Sequence, residues 1–186
     1  MKRLVIAIAL AATLPFAASA ADGISYNSVK GGYVATNTDG PDADGWGLGG
    51  SVAVHPNFHL FADYGNQDIK HFSAGFEQSR IGGGYNTAIG KNTDFVADIG
   101  YDVIKAKHGG PKAEGYSVET GVRSLLMPNV EGYAKVGYMD TNMTSGEAYG
   151  RLGTNVMFNQ NWGINADVRL IQGGDTQWFV GPRFTW

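Results

Sequence analysis

Residues 162–170 read Trp-Gly-Ile-Asn-Ala-Asp-Val-Arg-Leu. Every second residue, beginning with Trp162, is apolar, and the residues between them are glycine, asparagine, Asp167 and Arg169. An alternation with a period of two places successive side chains on opposite faces of a β-strand. Because both charges lie on one face, this strand is typical of a sheet with lipid on one side and a polar interior on the other.

The same alternation recurs along the chain between turn-forming clusters, which are centred near residues 56, 91, 128 and 160. These short turns alternate with longer polar segments, and the stretches between them reach the roughly 9–11 residues that a tilted membrane strand needs. The predicted strands span 24–36, 45–54, 58–66, 78–89, 93–104, 115–125, 130–141, 147–158, 162–171 and 176–186. Pro182 cannot donate to a strand ladder, which predicts a local gap or bulge in the last strand. We predict an all-β fold, an antiparallel up-and-down transmembrane β-barrel of ten strands, with eight strands as the alternative if one hairpin is a long loop.

The composition agrees with a secreted β protein. The chain has 186 residues, of which 28 are glycine and none is cysteine, so disulfide bonds and thiolate zinc sites are excluded. Lys2 and Arg3 precede an apolar stretch, and Ala-Ser-Ala at 18–20 forms a small-residue cleavage site, which together have the form of a secretory signal peptide. We expect residues 1–20 to be that signal peptide and residues 21–186 to be the barrel. The net charge of −3 argues against a nucleic-acid partner.

Aromatic residues fall at two heights on the face that the alternation assigns to lipid. Aromatic rings concentrate at both lipid–water interfaces of a membrane barrel, whereas a soluble sandwich has no reason to sort them by height. One belt is expected near the short turns and the other near the longer loops. The predicted girdle includes Trp162 and Trp186 near the turns, and Trp46, Tyr64, Tyr101 and Trp178 near the loops. Outer-membrane lipid is therefore the expected surrounding of this face.

The inward face carries charges of both signs in nearly equal numbers. Turns centred on residues 91 and 127 set two registers, and each register places opposite charges across from one another. The pairs predicted in this way are Arg80 with Asp102, Glu119 with Lys135, and Arg123 with Glu131. The predicted lumen network consists of these six residues together with Asp167 and Arg183. A narrow barrel with paired charges has little open volume, so a salt-bridged plug is the favoured interpretation and an ion pathway is the alternative.

Three sequence fragments resemble chemical motifs but lack the context that each chemistry requires. Residues 45–50 match the letters of GxGxxG, yet a strand rather than a helix follows them. Aspartates at 39, 42 and 44 could supply oxygen ligands, but the twelve-residue calcium-loop pattern fails at its last position. His71-Phe72-Ser73 resembles the His-x-Ser of outer-membrane lipid A deacylases, but it falls in a predicted loop. We expect no catalytic residue, no metal site and no cofactor.

The first part of the expected mature chain carries a family resemblance. Residues 21–34 read Ala-Asp-Gly-Ile-Ser-Tyr-Asn-Ser-Val-Lys-Gly-Gly-Tyr-Val, and residues 38–45 read Thr-Asp-Gly-Pro-Asp-Ala-Asp-Gly. Val-His-Pro-Asn-Phe follows at 54–58 and Arg-Ile-Gly-Gly-Gly-Tyr at 80–85. Together these segments resemble a xanthomonad family of small outer-membrane proteins, once proposed as a sulfation-dependent quorum factor and elicitor of plant immunity.

This resemblance implies an outer-membrane barrel that is associated with vesicles and with motility, biofilm formation or virulence. It matches Tyr26 to the tyrosine proposed for sulfation in the family, which makes Tyr26 a possible modification site; an interfacial position for this ring fits the sequence equally well. Gly32 and Ala35 replace charged residues of the family's N-terminal segment. Trp186 resembles the terminal aromatic residue that such barrels present to their assembly machinery, so that machinery is an expected partner.

These observations together predict a non-enzymatic, monomeric barrel in the bacterial outer membrane. Rigid barrels place variable function on their loops, so binding is expected on the loops at 37–44, 66–77 and 105–114. The predicted role is surface interaction or cell–cell signalling, in quorum sensing, biofilm formation or virulence. A small outer-membrane channel is the alternative function, and a lipid-modifying barrel enzyme is a third.

Overall fold

The described chain is built from long β-strands. The computed structural model describes residues 23–143 and 146–186, and the predicted signal peptide at 1–20 lies outside these residues. Within them the chain forms ten strands. The strands are β1 (Ser28–Asn37), β2 (Ala43–His55), β3 (Phe58–Ile69), β4 (Gly75–Gly90), β5 (Thr93–Ala106), β6 (Lys112–Met127), β7 (Val130–Thr141), β8 (Glu147–Met157), β9 (Trp162–Ile171) and β10 (Thr176–Thr185). No helix in the described segments has the length and hydropathy needed to cross a membrane.

The strands form a closed antiparallel sheet. Each strand pairs with the next one along the chain, and β1 also pairs with β10, so the strand order returns to its start. Closure pairs the backbone groups that an open sheet would leave at its edges. For the described residues, the prediction of an all-β, up-and-down barrel with ten strands is confirmed, and the eight-strand alternative is wrong.

The connections differ in length at the two ends of the barrel. One end, here called the turn end, carries the connections 56–57, 91–92, 128–129 and 158–161. The opposite end, here called the loop end, carries the connections 38–42, 70–74, 107–111, 142–146 and 172–175. The predicted alternation of short turns with longer loops is therefore present, although the loops are short.

The three predicted binding loops, at 37–44, 66–77 and 105–114, are wrong in their bounds because the strands extend into each of them. β4 begins at Gly75 and β6 begins at Lys112, and the ladder between neighbouring strands continues to the tips. Sixteen residues of strand, tilted by about 40°, rise about 40 Å, which exceeds the apolar band of about 25 Å. Above that band both faces of a strand meet water, so these segments lose the apolar alternation while they keep their pairing.

The register of β6 with β7 differs from the prediction by two residues. Glu119 lies opposite Gly137 rather than Lys135, and Arg123 is displaced from Glu131 by the same amount. The turn is the Pro-Asn pair that precedes β7, with a bulge beside it, so the prediction that centred this turn on residue 127 is wrong. A shift of two residues keeps every side chain on its own face, and the predicted partners therefore meet diagonally instead of directly.

Pro182 interrupts the ladder between β10 and β1. The pairing of these strands stops after Lys30–Arg183 and resumes at Tyr33–Val180. On the other side of β10, the pairing with β9 continues without a shift of register. The predicted gap is therefore confirmed, and it lies on the side of the strand where the closing ladder of the barrel would need a backbone N–H.

The chain enters the sheet later than the alternation predicts. β1 begins at Ser28 rather than at Ile24, because the residues before it turn into the barrel at the turn end. Ile24 and Tyr26 are 5% and 3% exposed, and they pack with Ala53 and Val96. This short segment therefore fills the turn end of the lumen instead of extending the wall.

Candidate functional site

Charged side chains fill the middle of the lumen around Glu119, which is 1% exposed. Its carboxylate lies 3.2 Å from Arg80 Nη1, 3.6 Å from Lys135 Nζ and 3.8 Å from Arg151 Nη1. These bases come from β4, β7 and β8, so one carboxylate on β6 connects four strands. A buried carboxylate is strongly unfavourable without compensating charge, and the three cations supply that charge.

A second acidic centre lies beside the first one. Asp167 accepts hydrogen bonds from Arg151 Nη2 at 3.1 Å, from the Tyr133 hydroxyl at 2.9 Å and from Lys30 Nζ at 3.4 Å. Arg151 contacts both Asp167 and Glu119, so the two centres form one continuous network. The other ion pairs of this layer are Arg80 with Asp102 (3.8 Å) and Lys135 with Asp98 (2.5 Å). His59 Nε2 lies 3.2 Å from Asp98 Oδ1.

The turn end of the lumen is closed by two arginines and a glutamate. Arg123 Nε lies 2.5 Å from Glu131 Oε1, and Arg183 Nη1 lies 3.7 Å from Glu131 Oε2. Both guanidinium groups also donate to the carbonyl oxygen of Ser25, at 2.9 and 3.2 Å. The segment before β1 is therefore held in the lumen through its backbone as well as through its side chains.

Tyr26 lies at the centre of this closure. Its ring stacks on His59 with 4.7 Å between centroids, and the Arg123 guanidinium carbon lies 4.7 Å from the Tyr26 centroid. Its hydroxyl donates to Asp94 at 2.9 Å. The interfacial position considered for this ring is wrong, because the alternation that would point it outward ends where the chain turns inward. Sulfation of Tyr26 stays a prediction, and in the folded barrel it would require the segment to leave the lumen.

Two cavities lie on either side of the central charges. The cavity toward the loop end, here called the vestibule, has a volume of about 480 Å³, and the cavity toward the turn end has about 140 Å³. The vestibule wall includes Asp102, Glu147, Arg169, Asp175, Gln177 and Phe179. Lys30, Asp63, Arg80 and Arg151 line both cavities. This layer, where the two cavities meet, is here called the partition.

Sequence reasoning missed two inward tyrosines, Tyr133 and Tyr149, because it considered charged residues and glycines of the inward face and did not consider tyrosines. Each tyrosine lies directly opposite a glycine of the neighbouring strand, Gly153 and Gly137 respectively. A Cβ added to Gly153 would lie 2.2 Å from Tyr133 Cζ, so the ring occupies the space above the glycine. The tyrosines share the odd numbering of the charged inward residues on β7 and β8, and that parity is the signal that could have identified them. Asp94, which is fully buried at the turn end, was missed as well.

The fragments that resemble chemical motifs do not bring the groups of those motifs together within the described residues. Residues 45–50 form part of β2, and residues 71–73 lie in the loop 70–74, where Phe72 is 61% exposed. Over residues 23–143 and 146–186, no three His, Asp or Glu side chains are grouped so that they could hold a metal ion. We assign no chemistry to these fragments.

The outward face of the barrel is apolar across its middle. Leu48, Ile99 and Leu152 are 53%, 59% and 52% exposed, and most inward residues of the same strands are polar or small. An apolar surface of this extent is unfavourable in water, whereas the hydrocarbon of a membrane accommodates it.

Aromatic rings border this apolar band at both ends. The ring contacts are Trp46–Tyr64 (5.4 Å) and Tyr101–Tyr116 (5.3 Å) toward the loop end, and Trp162–Phe184 (4.9 Å) and Phe184–Trp186 (6.2 Å) toward the turn end. Trp178, which the sequence assigns to the loop-end belt, is 51% exposed on the same outward face. This chain is a transmembrane β-barrel. The closed sheet provides hydrogen-bond partners for the backbone groups of the strands. Its outer surface is apolar and suits lipid, and its charged side chains lie in the lumen.

Solved structures that resemble this transmembrane barrel share little sequence with it. The KdgM porin is 11% identical over 85% of this chain and 99% of that one, with a TM-score of 0.49. The outer membrane protein OprG from Pseudomonas aeruginosa is 10% identical over 91% and 99%, with a TM-score of 0.46. Ail, the attachment invasion locus protein of Yersinia pestis, is 11% identical over 88% and 100%, with a TM-score of 0.42. No protein-family model and no curated protein sequence matches the chain.

Proposed function

We propose that this protein is a non-conducting, non-enzymatic barrel of the bacterial outer membrane that acts at the cell surface through its loop end. The charge-filled lumen is the observation that supports this most directly. The partition, which includes Arg80 and Arg151, lies where the two cavities meet, and the segment around Tyr26 fills the turn end. A conducting pore needs a continuous polar path, and paired buried charges in a narrow barrel leave little room for one.

The orientation of the barrel follows from its connections. Short turns of outer-membrane barrels face the periplasm and longer loops face the outside, so the vestibule would open to the surroundings of the cell. We assign surface interaction or cell–cell signalling, with roles in quorum sensing, biofilm formation or virulence, to this loop end. We further propose a monomer, delivery to the membrane by the assembly machinery through the strand that ends at Trp186, and presence in vesicles shed from that membrane.

Conductance across a planar bilayer tests whether the lumen is closed. We expect the purified wild-type barrel to give no steady openings. The double variant Tyr26→Ala/Arg151→Ser, which removes one side chain from the turn-end closure and one from the partition, should give steady openings and thereby show that the assay detects this barrel. Large, steady openings of the wild type would contradict the proposal and support the small channel.

Antibody labelling of intact cells tests the orientation. A peptide tag inserted between His108 and Gly109, in the loop 107–111, should be labelled on intact cells. The matched control is the same tag in the turn 128–129, which should be labelled only after the outer membrane is permeabilised. The reverse pattern would place the vestibule on the periplasmic side and would contradict a surface role.

Cells that lack the protein test the role itself. We expect deletion to reduce cell aggregation and biofilm formation, and replacement of loop 70–74 by glycine and serine to have the same effect while the barrel keeps its heat-modifiable band in electrophoresis. Lipid A from these cells should be unchanged in mass. A changed lipid A mass together with normal aggregation would instead support the lipid-modifying enzyme.

A further inference from the structure

Two arginines in the vestibule wall have N–H groups for which the described part of the chain provides no hydrogen-bond acceptor. Nε and Nη2 of Arg80, and Nε and Nη2 of Arg169, are buried without a hydrogen-bond partner there. The Arg80 side chain is 10% exposed, and its Nε lies 3.8 Å from Asp102 Oδ1, which is beyond hydrogen-bond distance. Buried donors in folded proteins are nearly always paired. Because these four N–H groups have almost no accessible surface, an acceptor atom would reach them only after a small movement of the guanidinium groups.

Aromatic rings hold both guanidinium groups in position. Arg169 Cζ lies 3.6 Å from the centroid of Tyr149, and Arg80 Cζ lies 5.0 Å from the centroid of Phe61. Arg80 is fixed further by its Nη1 contact with Glu119 at 3.2 Å. A guanidinium group stacked on a ring directs its donors sideways in a planar fork, and because its geometry is already set, little conformational freedom is lost when a ligand binds.

Arg169 also opposes another base directly. Arg169 and Arg151 are paired residues of β9 and β8, and like charges that face each other across strands are destabilising. Asp167 compensates Arg151 at 3.1 Å. Within the described residues, Arg169 forms no ion pair within 4 Å, and Asp102 and Glu119 compensate its charge only from a greater distance. An anion bound beside Arg169 would therefore add a direct partner.

The charges of the vestibule are arranged along its depth. Glu147 begins β8 at the loop end and Asp175 lies in the loop before β10, so the mouth carries acidic groups. The floor carries bases and acids side by side, namely Lys30, Arg80, Arg151 and Arg169 with Asp63, Asp102 and Asp167. The three aspartates offset most of that positive charge, so recognition at the floor would rest on directed hydrogen bonds and not on an excess of charge.

We propose that the vestibule binds a small oxyanion, or the oxyanion group of a small solute, through Arg169 and Arg80. Carboxylate, sulfate and phosphate share two oxygens at the spacing that a guanidinium fork recognises. The volume of about 480 Å³ lies in the range of small-molecule sites and leaves room for a solute larger than the ion itself. The site lies inside the barrel and is independent of the partner that the loops contact.

Titration of inorganic phosphate into the purified full-length barrel in detergent micelles tests this site. The measurement is broadening of the ³¹P resonance, with chloride used to hold the ionic strength constant. We expect saturable broadening with the wild type, reversed by excess sulfate or acetate. Arg169→Met should lower the phosphate affinity about tenfold, the effect of losing a hydrogen bond to a charged group. The phosphate affinity of Arg169→Lys should lie between those of the wild type and Arg169→Met, because lysine keeps the positive charge but lacks the planar fork of donors.

Lys91→Gln is the matched control, since it removes one positive charge from an exposed turn at the opposite end of the barrel. It should leave phosphate binding unchanged. Arg80→Met is a second site variant, with an expected loss similar to that of Arg169→Met. If Arg80→Met fails to fold because Glu119 loses a partner, Arg169→Met still decides the question. Absence of saturable broadening with the wild type, or an equal loss in Lys91→Gln and Arg169→Met, would overturn the proposal.

Discussion

The two ends of the lumen differ in whether their buried charged groups have hydrogen-bond partners. At the turn end, Arg123, Arg183, Glu131 and the carbonyl oxygen of Ser25 satisfy one another around a cavity of about 140 Å³. At the loop end, Arg169 lines a cavity of about 480 Å³ and has donors that no described residue accepts from. Unpaired buried donors lower stability, so stability alone does not account for them. The contrast indicates that the turn end maintains closure and that the loop end is suited to recognition.

The central network, which lies between these ends, should give the largest loss of stability when it is broken. Glu119→Gln removes the carboxylate that Arg80, Lys135 and Arg151 share, and it leaves three buried cations near one another. Loss of one partner from a buried ion pair costs up to about 5 kcal/mol. The urea midpoint of unfolding from lipid vesicles, followed by tryptophan fluorescence, measures the change.

Glu114→Gln is the control for this variant, because it makes the same chemical change in an exposed pair with Lys112 at the loop end. Exposed ion pairs contribute little, so we expect no measurable shift of its midpoint. Equal midpoints for Glu119→Gln and the wild type would mean that the central network does not stabilise the barrel.

The turn-end closure should show the next largest effect. Tyr26→Ala removes a buried ring with its stacking on His59 and its contact with Arg123, for an expected loss of about 3 kcal/mol. Tyr26→Phe keeps both ring contacts and loses only the hydrogen bond to Asp94, for about 1 kcal/mol. The same unfolding assay separates the two variants. Because the partition stays in place, neither should conduct, and steady openings in Tyr26→Ala would show that this segment alone closes the lumen.

The wall of the barrel could be predicted from the sequence because each membrane strand must be apolar at every second position. That constraint acts on residues 162–170 as strongly as on the other strands, so alternation identified all of them. It does not distinguish a wall from a plug, since Ile24 and Tyr26 alternate in the same way and yet lie in the lumen. It also fails above the membrane, where the charged residues Lys112 and Glu114 continue β6.

The contents of the lumen could be predicted only in part. The alternation of residues along each strand assigned the charges to the correct face. The direct partners of Glu119 and Arg123, however, depend on a turn that lies one residue further along than its composition suggests. The pairing of Tyr133 with Gly153 needs the register of β7 and β8, which no charge pattern specified. The donors of Arg169 that lack partners become visible only when the whole lumen is assembled, because side chains from distant strands decide whether they are satisfied.

A methyl group added at Gly153, opposite Tyr133, tests how tightly the side chains of the lumen are packed. A Cβ on Gly153 would lie 2.2 Å from Tyr133 Cζ, so Gly153→Ala should displace a ring that donates to Asp167, at a cost of about 1–2 kcal/mol. The control is Gly150→Ala on the same strand, where a Cβ has open space within 4 Å. Its unfolding midpoint should stay within error of the wild type. If both variants unfold alike, the tyrosine–glycine pair adds nothing to packing.

Arg169→Met should have the smallest effect on stability, although it removes a charge from the lumen. Methionine keeps an apolar contact with the Tyr149 ring, eliminates two buried donors that have no partner among the described residues, and leaves the three cations around Glu119 in place. We expect the free energy of unfolding to change by less than about 1 kcal/mol, while phosphate affinity falls about tenfold. A residue that can be replaced without loss of stability but with loss of binding serves recognition. A destabilisation as large as that of Gly153→Ala would instead assign Arg169 to the structural network, and the functional contrast between the two ends of the lumen would no longer hold.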